Sequence, residues 1–129
     1  MPSFPRSDLS TTHAVRPRVP GIITVRSHVA GRRAVVSVAG EIDLATVPVL
    51  RAAISAALQS SIDELWIDLG ETEFMDSAGL HLLVEAERVT QGLHRRLAIL
   101  CPPGPVRRVF DIAGLAEVLP LRDDLARDV

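Results

Sequence analysis

One short run, Phe74-Met75-Asp76-Ser77-Ala78-Gly79-Leu80, concentrates the chemistry this chain offers. A hydroxyl follows a carboxylate, and a residue without a side chain stands two positions further on. The run joins an apolar strand-like stretch to a helical pattern, so Ser77 falls at or next to a helix's first turn. Unpaired N–H groups and the positive end of the helix dipole stabilise a phosphate at such a place. Gly79 leaves room for another protein or a phosphate-bearing loop to approach. A plainer reading uses the same residues: Asp76 or Ser77 caps the helix, and Gly79 packs closely against a strand. Spacing leaves both open.

Other pairings are less complete. Ser77 and His81 are four apart on one helix face, and Asp43 or Asp76 would be needed to finish a nucleophilic triad. The Gly-x-Ser-x-Gly elbow that exposes a hydrolase serine is missing, so no catalytic residue is assigned. His81 and Glu85 share i,i+4 spacing, with His94 further along, but two ligands are an incomplete metal site, and a solvated stripe through Arg88 explains them equally well. His13 and His28 add no ligand. All fourteen basic residues are arginine, which removes the P-loop lysine, Schiff-base chemistry and a lysine general base together. Cys101 stands alone, so neither an internal disulfide nor a cysteine zinc site is available, and a buried small hydrophobe is expected. No cofactor is expected.

These residues need elements to hold them. Ile22 to Val29 and Ala34 to Val38 read as a hairpin turning at Gly31-Arg32-Arg33 and ending at Gly40. A helix opens near Thr46, which can cap it, with Pro48 in its first turn. Val47, Leu50, Ile54, Ala57 and Leu58 mark its inner face, opposite Arg51, Ser55 and Gln59. Leu65 to Leu69 has the continuous apolar look of a central parallel strand, followed by a loop. A second helix runs from about Ser77 to Gln91, with Leu80, Leu83 and Val84 inward and Gly92 as its left-handed end. Leu97 to Cys101 is a further strand. Pro102-Pro103-Gly104-Pro105 then leads into a short helix with Val106, Val109, Phe110 and Ala113 inward and Gly114 at its end. Glu117 to Leu121 adds an edge strand, where Pro120 is tolerated, and the last residues form a short helix. The order β-β-α-β-α-β-α-β predicts one α/β domain with a mixed, mostly parallel sheet and right-handed crossovers.

The chain has 129 residues, 47 % of them apolar, enough for a single core that must be aliphatic because aromatics amount to 3 %. Residues 1–20, with Pro2, Pro5, Pro17 and Pro20 among Ser, Thr and Arg, read as a flexible tail before a domain over 21–129. The formal net charge of −2 and the scattered arginine pairs speak against a nucleic-acid partner. The tail lacks the apolar centre of a secretory signal and no run reaches membrane-spanning length, so no membrane partner and a cytoplasmic location are expected.

The chain resembles the STAS family, and within it the anti-sigma factor antagonists. The resemblance rests on Gly40-Glu41-Ile42-Asp43-Leu44-Ala45-Thr46, on Ile67-Asp68-Leu69, on the run from Phe74 to Leu80, and on Val106-Arg107-Arg108-Val109-Phe110; it covers about residues 22–121. It implies that Ser77 is phosphorylated by an anti-sigma factor that is itself an ATP-dependent serine kinase. It implies that the unphosphorylated chain binds this kinase and frees the sigma factor, and that a phosphoserine phosphatase resets the switch. Asp43, Thr46, Asp76, Ser77, Ala78, Gly79 and His81 are the implied partner-binding surface. Family members also act as scaffold parts or small-ligand sensors, which is the alternative reading. A weak homodimer and Thr72 as a second phosphoacceptor both stay open. The family's final helix is longer than Arg122 to Val129 can supply.

Overall fold

A computed structural model describes residues 22–123. The strands are β1 (Ile23–Ala30), β2 (Arg33–Ile42), β3 (Glu64–Met75), β4 (Arg96–Leu100) and β5 (Leu121–Arg122), and the helices are α1 (Val47–Leu58), α2 (Ser77–Gly92) and α3 (Pro105–Ile112). The order is the predicted one. The tail over 1–20, the residue Gly21 and the short helix expected at the C-terminus from 124 onward lie outside the described residues.

One sheet holds all five strands in the order β1-β2-β3-β4-β5. β1 pairs antiparallel with β2, and β2 with β3, β3 with β4, and β4 with β5 are parallel. Alternation along the strands gives the sheet two faces. On one, Val36, Val38, Leu65, Ile67, Leu69 and Ile99 meet Leu50 and Ile54 of α1, Leu80 and Leu83 of α2, and Val106 and Phe110 of α3 in a single core. The expected inner face of α1 is confirmed, with Leu58 only half-buried.

The opposite face carries a transverse row of charge. Glu64 sits in register between Arg33 and Arg96, accepts from Arg33 Nε at 2.8 Å and from Arg96, and takes a longer bond from Trp66 Nε1 at 3.3 Å. The Arg33 guanidinium lies 4.8 Å from the centroid of the Trp66 ring. Burial of Glu64 works to raise its pKa, but the bonds from Arg33 and Trp66, with the charge of Arg96, outweigh it and hold the carboxyl below its ordinary value of 4.5. A depressed folded value means stability that is present above the unfolded pKa and lost as pH falls through the folded one. Glu64→Gln is therefore expected to cost about 1–2 kcal/mol at pH 7, with the gap to the parent chain closing below pH ~4; urea unfolding at pH 7 and pH 3.5 checks this.

Several boundaries differ from expectation. The loop expected after Leu69 is strand, because Ala39, Gly40, Glu41 and Ile42 continue the pairing through Met75, with register shifts between Ser37 and Ala39 and between Gly40 and Glu41. Gly92 does not close α2 in a left-handed conformation. His94 takes that role at φ 59°, and Arg95 N donates to Thr90 O at 2.9 Å to seal the end. Ala113 is exposed, not inward, since α3 stops at Ile112 and buries only Val106 and Phe110. The last strand is Leu121–Arg122, not Glu117–Leu121; Pro120 precedes it and still lends its carbonyl to Ile99 N at 2.9 Å. Cys101 is buried just beyond β4, and burial pushes its thiol up to about 11. No helix among the described residues is long and apolar enough to cross a membrane.

Candidate functional site

Two chain segments meet at the C-terminal ends of β2 and β3. The hinge between them is a backbone bond, Asp76 N to Ile42 O at 3.1 Å, so Asp43 and Ser77 each stand one residue from it. This bond is what the sequence does not announce.

On the β2 side, the turn after Ile42 is held from within. The Asp43 carboxylate accepts from Ala45 N at 3.0 Å and Thr46 N at 3.1 Å. Thr46 Oγ1 accepts from Asp43 N at 2.9 Å and donates to Glu41 O at 2.9 Å. Thr46 precedes α1 as expected, but its side chain makes no cap bond to the helix. Its hydroxyl is buried and spent on the turn, which fixes Asp43 in place. Gly40 makes this corner feasible. Its φ is +103°, and a Cβ there would run into the carbonyl of Ile22.

On the β3 side, Asp76 is extended and caps α2, its Oδ1 accepting from Ala78 N at 2.9 Å. Its carbonyl takes the next two amides, Gly79 N at 3.1 Å and Leu80 N at 3.2 Å. Gly79 is buried, and a Cβ on it would lie 2.5 Å from Met75 Cγ and 2.8 Å from Ile42 Cγ2. The plainer reading therefore holds for Asp76 and Gly79. It does not absorb Ser77, which is the first residue of α2 and exposed, and whose Oγ has no hydrogen bond among the described residues.

Ala78 is half-buried behind it, and His81 is exposed one turn on. Glu85, a further turn along, is bound by Arg51 of α1 at 2.6 and 2.7 Å, so it belongs to an α1–α2 tie and not to a stripe through Arg88. No group of three His, Cys, Asp or Glu side chains among the described residues is arranged to hold a metal ion. Thr72 is buried and donates Oγ1 to Val38 O at 2.9 Å, which closes it to a modifying enzyme while the sheet is intact. Sequence reasoning passed over two side chains: Leu44 is 79 % and Val49 50 % exposed, both apolar and both next to the Asp43 turn. The available signal was an apolar residue directly after the turn-forming Asp43.

The family model described as "Mlab, STAS domain" matches residues 25–122. Among curated relatives, the anti-sigma-B factor antagonist of Staphylococcus aureus is 31 % identical over 84 residues, 65 % of this chain and 78 % of that protein. An anti-sigma factor antagonist from Mycobacterium paratuberculosis has a crystal structure that superposes with a TM-score of 0.76 at 33 % identity, covering 82 % of this chain and 90 % of that one. The Bacillus cell fate determinant SpoIIAA in its phosphorylated form is similar at 26 % identity and a TM-score of 0.63, over 81 % and 95 % of the two chains. With the order of elements, the capped Ser77 corner and a family model that spans nearly all described residues, the chain belongs to the STAS domain family.

Proposed function

We propose that the chain is an anti-sigma factor antagonist switched by phosphorylation of Ser77. Unphosphorylated, it binds an anti-sigma factor with serine kinase activity, and the sigma factor that this kinase held is released. The kinase then transfers the γ-phosphoryl group of ATP to Ser77 Oγ. One O–P bond forms, the bond to the ADP leaving group breaks, and the hydroxyl proton passes to a base on the kinase. The modified chain lets go, and a phosphoserine phosphatase restores it. The chain itself performs no catalytic step and needs no cofactor.

The observation that carries this reading is the state of Ser77. Its neighbours Asp76 and Gly79 are consumed by capping and packing, yet its own hydroxyl is exposed at the first position of a well-anchored helix. Relatives named as antagonists, and a similar Bacillus cell fate determinant solved in a phosphorylated form, support the same reading. A phosphate at this helix end is compatible with the fold, since the dipole and the first-turn amides favour negative charge. The switch therefore acts on the partner and needs no rearrangement of the chain. Asp43, Asp76, Ala78 and His81 frame the docking surface, with Leu44 and Val49 as its apolar contacts; Thr46 and Gly79, expected in that surface, are buried and support it from beneath.

Capture from the native cells with a Ser77→Ala bait is expected to retain a small ATPase-fold kinase. That kinase with ATP is expected to place phosphate on Ser77 of the parent chain and none on the alanine variant, read by mass spectrometry. Retention of a large assembly without a kinase, or phosphate at another residue, would move the scaffold or sensor reading ahead.

A further inference from the structure

A phosphate on Ser77 enters a place poor in positive charge. The chain has no lysine, and no arginine occurs between Arg33 and Arg51 or between Arg51 and Arg88. α2 packs on α1, β3 and β4. The charged residues of β3 are all carboxylates, Glu64, Asp68, Glu71 and Glu73. β4 offers Arg96, which is bound to Glu64 where the two strands begin, at the far end from Ser77. α1 offers Arg51 alone, and its Nη1 lies 2.6 and 2.7 Å from the two oxygens of Glu85. Asp43 and Asp76 add two more carboxylates at the corner itself.

The backbone there is largely spent. Ala78 N donates to the Asp76 side chain, and Gly79 N and Leu80 N donate to the Asp76 carbonyl. A phosphate on Ser77 gains the field of the helix, but beyond Ser77 itself its direct partner has to be a side chain.

His81 is placed to be that side chain. It is exposed on α2, four residues after the exposed Ser77, and residues at this spacing carry their Cβ atoms about 5–6 Å apart on one face. The Cα–Cβ bonds of a helix tilt towards its N-terminus, which carries the imidazole towards the Ser77 turn. An anion first and a cation four residues later is also the more favourable order along a helix. One turn in the other direction stands Glu85, the residue that could draw the imidazole away. Arg51 has already claimed its carboxylate.

We propose that His81 holds the phosphate: once Ser77 is modified, the imidazolium of His81 binds the phosphoryl oxygens across one turn of α2. This rests on the phosphorylation proposed above and gives the switch a second component. The modification adds charge, and it also withdraws His81 from the docking surface onto its own helix. The clasp has a pH range of its own. It needs the doubly charged phosphate, which forms near pH ~6, and it loosens at higher pH as an imidazole gives up its proton.

A chain that receives phosphoserine at position 77 during its synthesis tests this without a kinase. Phosphorus NMR titration at low salt reads the second ionisation of the phosphate. That ionisation is expected roughly 0.3–0.5 pH unit lower in the His81 chain than in His81→Gln, about a two- to threefold change in proton affinity. His81→Arg, a permanent cation, should restore the lower value, and 0.5 M salt should at least halve the difference. Equal ionisation in the parent and His81→Gln chains would overturn the proposal. So would a larger shift in Arg51→Gln than in His81→Gln, which would assign the phosphate to α1. Because the phosphate is built in, failure to capture a kinase leaves this measurement intact, and a phosphate indifferent to His81 leaves the kinase reading intact.

Discussion

Ser77→Asp is expected to lower affinity for the captured anti-sigma factor about a hundredfold, while Ser77→Ala binds within about threefold of the parent chain. A hundredfold is about 2.7 kcal/mol, and like charges forced together under a covered interface reach several kcal/mol. The added carboxylate appears next to Asp76 and one hydrogen-bonded step from Asp43, whose turn cannot swing aside because Thr46 and the Asp43 carboxylate lock it. Phosphoserine, with the larger charge, should bind more weakly than aspartate. Raising salt from 0.05 to 0.5 M should recover part of the loss, since the corner is exposed. Folding is not at stake, because aspartate in the first turn suits the helix dipole. Calorimetric titration at two ionic strengths, beside a thermal melt, reads both quantities. Equal affinity of the two variants at matched stability would remove charge as the basis of the switch.

Gly79→Val has the largest expected effect on stability, a loss of about 3 kcal/mol, at the top of the range for overpacking a filled core. Its first added carbon would overlap both Met75 Cγ and Ile42 Cγ2. Met75 can yield in part, being unbranched, but Ile42 cannot move far. Its carbonyl carries the Asp76 N–H, and its side chain is wholly buried. Strain therefore passes into the bond that holds Asp43 and Ser77 together, and binding should weaken along with stability. Gly79→Ala should show the same two losses at smaller size. Urea unfolding at constant m-value measures the first, and titration of the partner measures the second. A valine chain as stable as the parent would mean that the α2–β3 contact is looser than its geometry.

Much of this was legible in the residues. The order of all eight elements follows from alternation between β-branched runs and helical rows, and the place of Ser77 at a helix start is visible because strand end, Asp76 and apolar helix face adjoin in sequence. What escaped detection depends on pairing across the fold. Gly70 to Met75 looks like a loop, with its Gly, Glu and Thr, and becomes strand only because β2 lies alongside to satisfy its backbone. Thr46 has the profile of a helix cap, yet the partners that claim its hydroxyl are Asp43 N and Glu41 O. Gly92 is a conventional helix end, but the amides of Leu93, His94 and Arg95 reach back to Val89, Gln91 and Thr90 two residues later. Glu85 has the spacing to join Arg88 on its own helix, yet its ion pair is with Arg51 of α1.

The order of the strands bears on how the protein is made. Because each strand of the sheet lies beside its sequence neighbour, from β1 to β5, a chain leaving the ribosome N-terminus first can add each element to a sheet that already exists. No strand has to wait for a distant partner, the circumstance that slows folding and exposes sticky edges. The Ser77 corner uses only residues from Gly40 to His81 and is complete once α2 has docked. β4, α3 and β5 then extend a protein whose working end is already in place.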